Sequence, residues 1–137
     1  MENKTALKIL IVDDDKFLIN MYSLKFKNGD FEVEAACGGD EALTKLRTGY
    51  RPDILVSDLV MQKMTGFEFL EIVINEKLNG DAVVIILTNQ GQTTDIEKAV
   101  NLKVDGYIVK ATSIPSEVVE EVKNIYNKRQ TTKNLIK

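Results

Sequence analysis

Short apolar runs alternate with longer amphipathic segments five times along this 137-residue chain, and this alternation constrains the fold more than any other feature. The runs have the length of strands, whereas the segments between them carry apolar residues at helical spacing. Such an alternation predicts a parallel sheet covered by helices on both faces, and right-handed crossovers make it a doubly wound α/β domain. The predicted strands are Leu7–Val12, Phe31–Ala36, Asp53–Ser57, Ala82–Leu87 and Gly106–Val109.

The helical segments are bounded by recognisable signals. A stop and turn signal, Asn28-Gly29-Asp30, ends the first helix, and Pro115 lies in the first turn of the last helix. The segment from Thr94 to Glu97 has the pattern of a capping box for the fourth helix. In the first helix, apolar residues at i, i+4 and i+7 predict a buried face. That face consists of Phe17, Met21 and Leu24.

Histidine is absent from the chain, and there is a single cysteine, Cys37. Catalytic pairs of Ser or Cys with His are therefore excluded, as are histidine metal ligands and an intramolecular disulfide. Cys37 ends an apolar run, so we expect it to be a small core residue.

The charge balance argues against two classes of partner. A net charge of -3 gives no electrostatic reason to bind nucleic acid or an anionic membrane. No segment reaches the roughly 20 apolar residues of a membrane span, so we expect a cytoplasmic domain. Basic residues gather near the C-terminus, where we expect a solvated, partly frayed tail. They are Lys123, Lys128, Arg129, Lys133 and Lys137.

Ligands of doubly wound folds bind where the parallel strands end, so the residue after each strand matters. Carboxylates follow the first and third strands, a hydroxyl group follows the fourth, and an ammonium group follows the fifth. In chain order these residues are Asp13, Asp14, Asp15, Asp58, Thr88 and Lys110. Carboxylates gathered at one edge repel one another, and a hard divalent cation such as Mg²⁺ relieves that repulsion.

The same edge contains the groups that phosphoryl transfer needs. We expect Asp14 and Asp58 to bind Mg²⁺ (or Mn²⁺) directly, with Asp13 acting through water and Val60 adding its backbone carbonyl. A carboxylate can also be the nucleophile toward phosphorus, and Asp58 is the candidate. The threonine and lysine that follow the fourth and fifth strands would then support the phosphoryl oxygens.

Four motifs together resemble the receiver domains of response regulators, the CheY-like family of two-component signalling. They are ILIVDDD (Ile9–Asp15), SDLVMQKMTG (Ser57–Gly66), IILTNQ (Ile85–Gln90) and GYIVKA (Gly106–Ala111). The resemblance covers residues 7–126, with 1–6 as an N-terminal extension and 127–137 as the tail of the last helix. It implies a flavodoxin-like three-layer (βα)5 sandwich with strand order 2-1-3-4-5.

The resemblance implies a signalling function, not that of an enzyme. A histidine kinase or histidine phosphotransfer protein would donate a phosphoryl group to Asp58. Thr88 would then move to the phosphoryl group and Tyr107 would swing inward, which repacks the face of the fourth helix, fifth strand and fifth helix. A downstream output protein or domain would recognise that face, and a phosphorylation-dependent dimer through it is left open.

Four positions depart from the pattern of the family. Gln62 and Ala111 stand where proline is usual, Asn89 where a small residue is usual, and Lys103 where glycine is common. We expect a looser loop at Gln62, a trans peptide bond before Ala111, and crowding of the phosphoryl pocket by Asn89.

Three residues beside the predicted pocket are expected to set the lifetime of the phosphoryl group. They are Val60, Asn89 and Gln90. Val60→Asn and Gln90→Glu should therefore change the dephosphorylation rate, measured after removal of the donor. Unchanged rates in both variants would rule out this role.

Three alternatives share parts of these patterns. A haloacid-dehalogenase-type phosphatase would use Asp13 and Asp15, but no Asp after residue 110 could form its last metal motif. The intact acidic residues, Thr88 and Lys110 argue against a receiver-fold scaffold that is not phosphorylated, but the departures at Gln62 and Asn89 leave this alternative open. A flavodoxin-like cofactor binder would need a phosphate-cradling loop after the first strand, where this chain has three aspartates.

Overall fold

A computed structural model of the chain describes residues 6–89, 93–110 and 114–136. These residues form strands and helices in strict alternation, which confirms the predicted α/β class. The elements are β1 (Lys8–Val12), α1 (Lys16–Asn28), β2 (Glu32–Ala36), α2 (Gly39–Arg47), β3 (Ile54–Ser57), α3 (Gly66–Asn75), β4 (Val83–Thr88), α4 (Thr93–Asn101), β5 (Gly106–Val109) and α5 (Pro115–Ile136).

The strands form one parallel sheet in the order β2-β1-β3-β4-β5, the order that the resemblance implies. At the carboxyl end of the sheet, Val12 pairs with Ala36 on one side and Ser57 on the other. Thr88 pairs with Val109 farther along the same edge. The segments that follow β1, β3, β4 and β5 therefore meet at one edge of the sheet.

Alternate residues of the central strands face opposite layers of the domain. In β1, Leu10 and Val12 pack with α2 and α3, whereas Ile9 and Ile11 pack with α1 and α5. The three-layer sandwich is thus confirmed. Strand β2 departs from the expectation that strands are buried on both faces, since it lies at the edge of the sheet and exposes its glutamates.

The buried face of helix α1 overlaps the predicted face only at Met21. The buried side chains are Ile19, Tyr22 and Phe26. Phe17 is 75% exposed and Leu24 is 59% exposed, so the prediction was wrong for these two residues, whereas Met21 packs against the core as predicted. Both sets follow helical spacing, and periodicity alone could not choose between them. The short link from β1 and the N-cap at Asp15 set the phase of the helix against the sheet.

Two predicted helix starts can be compared with the structure. Helix α5 begins at Pro115, as predicted. Helix α4 begins at Thr93, so Thr94 lies within the first turn instead of preceding it, and the capping box was wrongly placed. Over the described ranges, no helix has both the length and the apolar character needed to cross a membrane.

The basic C-terminal segment is anchored at Arg129. Its guanidinium donates to the backbone carbonyl of Ala82 at 2.8 Å, to Asp105 at 3.1 Å and to Asp81 at 3.0 Å. Asp105 also accepts the N–H of Val84 at 2.8 Å. Arg129 therefore ties α5 to the residues that precede β4 and β5. The expectation of a solvated tail was wrong for this residue.

Arg129→Ala is expected to lower the free energy of unfolding by about 1–2 kcal/mol, because three hydrogen bonds from one charged group are lost. The free energy of unfolding of Arg129→Lys should lie between those of Arg129→Ala and the wild-type domain, since a lysine keeps the charge but not the forked geometry. Urea unfolding followed by circular dichroism measures both. Lys128→Ala is the matched control, because Lys128 is exposed on the same helix. Equal stability of Arg129→Ala and Lys128→Ala would contradict an anchoring role.

Candidate functional site

The residues that follow β1, β3 and β5 form one buried polar group. Nζ of Lys110 donates to Oδ2 of Asp13 at 2.8 Å and lies 3.5 Å from Oδ2 of Asp58. The side chains of Lys110 and Asp13 are each 7% exposed, and that of Asp58 is 12% exposed. Three strands thus deliver two carboxylates and one ammonium group to a nearly enclosed position.

The two carboxylates stabilise the positive charge of Lys110. Burial alone would lower the pKa of Lys110, but the hydrogen bond to Asp13 and the negative charge of Asp58 outweigh burial and raise that pKa. Burial also raises the pKa of Asp13, although the bond from Lys110 opposes the rise. Lys110 is therefore held as an ammonium ion. Two carboxylates face this one ammonium group, an arrangement that favours an added cation.

Backbone N–H groups orient the other carboxylate oxygens. Oδ1 of Asp58 accepts the N–H of Leu59 at 2.7 Å, and the N–H of Val60 lies 3.5 Å away. Asp14 turns toward the loop between β3 and α3, where its Oδ2 accepts the N–H of Gln62 at 2.8 Å. Asp14 is thus bound to the loop and not to the buried group.

The donor set fits a hard divalent cation in its chemistry. Asp13, Asp14 and Asp58 bring carboxylates to one sheet edge, and two of them face the same ammonium group. Val60, the predicted carbonyl donor, lies on the adjoining loop and is 59% exposed. Within residues 6–89, 93–110 and 114–136, no three His, Cys, Asp or Glu side chains already form a metal-binding cluster. A cation bound at Oδ2 of Asp14 would have to displace the N–H of Gln62 from that oxygen.

Two residues flank the site without joining it. Asp15 is the N-cap of α1, and its Oδ1 accepts the N–H groups of Phe17 at 3.0 Å and Leu18 at 3.3 Å. This capping role argues against the phosphatase alternative, which would use Asp15 together with Asp13. Cys37 is half-buried, not the core residue we expected, and its Sγ donates to the carbonyl of Asp14 at 3.7 Å.

The predicted switch residues lie on the two strands beyond the acidic group. Thr88 is the last residue of β4 and is buried. Tyr107 on β5 is half-buried against the layer of α2, α3 and α4. Partial burial raises the pKa of Tyr107, and the charges of Asp95 and Asp58 raise it further, so its phenol is neutral at neutral pH. Asn89 is exposed next to Thr88.

The departures from the family pattern have visible local consequences. Lys103 has a φ of 62°, in the left-handed region that glycine adopts at least cost. The N–H of Gln62 bonds to Asp14, so the loop that we expected to be looser is tethered there by a contact that proline cannot make. Gln90 and Ala111 lie outside the described residues.

Sequence reasoning missed the role of Gly66, the first residue of α3. A Cβ at this position would lie 2.7 Å from Cα of Leu59 and would meet the carbonyl oxygen of Asp58. The N–H of Gly66 also donates to the carbonyl of Leu59 at 2.8 Å. The available signal was a glycine directly after Thr65, which is the N-cap of a capping box with Glu68. That pattern predicts a helix start but not a close backbone approach.

Comparison with known proteins relates the chain to response regulators. Residues 9–123 match the model of the response regulator receiver domain. The chain is 30% identical to the alkaline phosphatase synthesis transcriptional regulatory protein PhoP of Bacillus subtilis, over 90% of this chain and 50% of that protein. It is 28% identical to the DNA-binding response regulator MtrA of Mycobacterium tuberculosis, over 85% of this chain and 49% of that protein. The chain thus spans about half the length of these curated relatives.

Solved structures agree with this assignment. A CheY-like response regulator receiver domain protein from Methanospirillum hungatei has a TM-score of 0.82 and 25% identity, covering 93% of this chain and 98% of that chain. The chemotaxis response regulator CheY4 of Vibrio cholerae has a TM-score of 0.79 and 29% identity, covering 88% of this chain and 99% of that chain. The family match spans most of the chain, and the strand order agrees with it. This chain therefore belongs to the response regulator receiver domain family.

Proposed function

We propose that this receiver domain accepts a phosphoryl group on Asp58 in a His-to-Asp signalling system. Receiver domains of response regulators are modules of two-component signalling and not enzymes in the ordinary sense, so the reaction is limited to the domain's own phosphorylation and dephosphorylation. One observation carries the proposal: Asp58 lies 3.5 Å from an ammonium group that Asp13 holds at 2.8 Å. A nucleophile and a charge to stabilise its product are thus placed together.

The chemistry follows from the two oxygens of Asp58. Leu59 bonds to Oδ1 and orients the carboxylate, while Oδ2 faces the ammonium group of Lys110. The carboxylate attacks the phosphorus of a phosphohistidine, so a P–O bond forms, the P–N bond breaks, and the imidazole leaves and takes up a proton. Lys110 then donates to an oxygen of the transferred phosphoryl group.

A divalent cation would be held by four groups of this chain. These are the carboxylates of Asp13, Asp14 and Asp58 and the carbonyl of Val60, which suit Mg²⁺ or Mn²⁺ as oxygen ligands. When bound, the cation neutralises negative charge on the phosphoryl oxygens. The excess of carboxylate charge around Lys110 supports such a requirement.

The response is proposed to pass through Thr88 and Tyr107. Thr88 is buried at the end of β4, and its hydroxyl would move to bond an oxygen of the phosphoryl group. Tyr107 is half-buried and near enough to Asp58 for that charge to raise its pKa. Inward movement of Tyr107 would change the surface formed by α4, β5 and α5. Phosphorylation would then shift the population between two arrangements of that surface.

The partners are proposed from the family. A histidine kinase or histidine phosphotransfer protein would supply the phosphoryl group, and an output protein or domain would recognise the surface of α4, β5 and α5. The names of the curated relatives describe transcriptional or DNA-binding regulators, of which this chain spans about half. A net charge of -3 gives this domain no reason of its own to bind nucleic acid. A dimer through the same surface is a further expectation.

Phe17 is expected to contribute to kinase docking, because this aromatic side chain is 75% exposed in the first turn of α1, four residues after Asp13. Phe17→Ser should slow phosphotransfer by at least about tenfold, because one contact buried in the complex is lost. The donor is a histidine kinase that phosphorylates the wild-type domain. Phosphorylation by acetyl phosphate should be unchanged. Leu24→Ser is the matched control, since Leu24 is exposed on the same helix about 10 Å farther along. Equal slowing with both donors would contradict a docking role.

The proposed function is tested by intact mass after incubation with acetyl phosphate and Mg²⁺. One phosphoryl adduct that is lost when EDTA is present would support a metal-dependent phosphoacceptor. If no adduct forms with acetyl phosphate or with a phosphorylated histidine phosphotransfer protein, although Mg²⁺ binding is detected by calorimetry, the proposal fails. The alternative of an unphosphorylated scaffold would then replace it.

A further inference from the structure

The hydrogen bond between Gln62 and Asp14 joins two segments that are far apart in the chain. The N–H of Gln62 donates to Oδ2 of Asp14 at 2.8 Å across a separation of 48 residues. Asp14 belongs to the link after β1, and Gln62 lies in the loop between β3 and α3. An N–H bond to a carboxylate is a charge-assisted contact, stronger than one between neutral groups.

The loop holds the Gln62 amide in this direction by contacts of its own. Met64 donates its N–H to the carbonyl of Gln62 at 2.7 Å, and Gly66 donates to the carbonyl of Leu59 at 2.8 Å. Lys63, which lies between Gln62 and Met64, has a φ of 70°, and this conformation closes a tight turn. Gln62 therefore presents its backbone N–H to Asp14 as part of an ordered turn.

We propose that the backbone N–H of Gln62 is a positioning group that holds Asp14 on the loop in the metal-free domain. The inference rests on the proposed function, in which Asp14 is a ligand of the divalent cation. A cation that binds Oδ2 of Asp14 must compete with this N–H, so the bond lowers the affinity for the cation. It also couples cation binding to the β3–α3 loop, since that loop loses its contact with the β1 end when Asp14 is withdrawn.

A residue without a backbone N–H removes the competition. Gln62→Pro deletes the donor, whereas Gln62→Ala removes the side chain and keeps the donor, so the two variants separate backbone from side-chain effects. We expect Gln62→Pro to bind Mg²⁺ about tenfold more tightly than wild type, the size of one charge-assisted hydrogen bond. Gln62→Ala should bind as wild type does. Calorimetric titration with Mg²⁺ measures all three proteins, and thermal unfolding checks that each is folded.

Nuclear magnetic resonance of the wild-type domain gives a second measurement that does not depend on the proline variant folding. The Gln62 amide proton should be shifted downfield and protected from exchange without metal. Saturating Mg²⁺ should move it upfield, because its acceptor has been withdrawn. An amide proton that does not move at saturation, together with equal or weaker binding by Gln62→Pro, would overturn the proposal.

Failure of the proposed function gives a different pattern. If neither wild type nor Gln62→Pro binds Mg²⁺, Asp14 is not part of a cation site, and the proposed function fails with the inference that rests on it. If only Gln62→Pro binds, the positioning role is supported in its strongest form. If both bind with equal affinity and the amide proton is unmoved, the cation site stands and the positioning role alone is overturned.

Discussion

Asp58→Asn is expected to abolish the phosphoryl adduct formed from acetyl phosphate, because a carboxamide cannot attack phosphorus as a carboxylate does. The variant should remain folded. Asp58 lies beside Asp13 in a nearly enclosed position, and removing one of two like charges relieves repulsion there. Its thermal midpoint should therefore equal or exceed that of the wild-type domain. Intact mass at neutral pH and thermal unfolding measure the two expectations separately.

Asp15→Asn is the matched control for this loss. Asp15 stands two residues after Asp13 and uses its Oδ1 to cap α1, a role that an Asn oxygen fills equally well. The control should form the adduct at the wild-type rate. An adduct that survives in Asp58→Asn and disappears in Asp15→Asn would contradict the assignment of the nucleophile and favour the phosphatase alternative. Loss in Asp58→Asn alone assigns the nucleophile to the strand-end position after β3.

The sequence predicts the sheet and the meeting of its strand-end residues. Apolar runs identify the strands, and parallel strands deliver the residues that follow them to one edge, which places Asp13, Asp58 and Lys110 together. The sequence could not predict which of the two carboxylates Lys110 contacts more closely. Lys110 was expected to serve the phosphoryl group at Asp58, yet its shorter contact is to Asp13. Side-chain torsions decide that difference, and spacing along the chain does not report them.

Two other features, the buried face of α1 and the bond from Gln62 to Asp14, could not be predicted from the sequence, for physical reasons. Helix α1 has apolar residues on two sides, so a period of 3.6 residues fits Phe17 and Leu24 as well as the truly buried Tyr22 and Phe26. The bond from Gln62 to Asp14 involves a backbone N–H, which every residue except proline possesses. Only the turn of the loop gives that donor its direction, and a turn of this kind leaves no side-chain signature.

Gly66→Ala is expected to have the largest effect of any substitution that leaves the chemical groups of the site unchanged. The added Cβ would lie 2.7 Å from Cα of Leu59 and 2.9 Å from the carbonyl carbon of Asp58, and these backbone atoms cannot move aside as a side chain can. The start of α3 must retreat from β3, which also breaks the 2.8 Å bond from Gly66 to Leu59. We expect a loss of about 1–3 kcal/mol in the free energy of unfolding from overpacking.

The same displacement should slow phosphorylation, because the peptide of Asp58 and Leu59 orients the nucleophile. A shift of about 1 Å costs roughly 10²-fold in rate, measured as adduct formation against time. Gly39→Ala is the matched control, since Gly39 also begins a helix but its added Cβ would meet Sδ of Met64 at 2.7 Å, the end of a flexible side chain. That variant should keep near wild-type stability and rate. If Gly66→Ala equalled Gly39→Ala in both stability and rate, the close packing of Gly66 against the backbone would have no role in positioning Asp58.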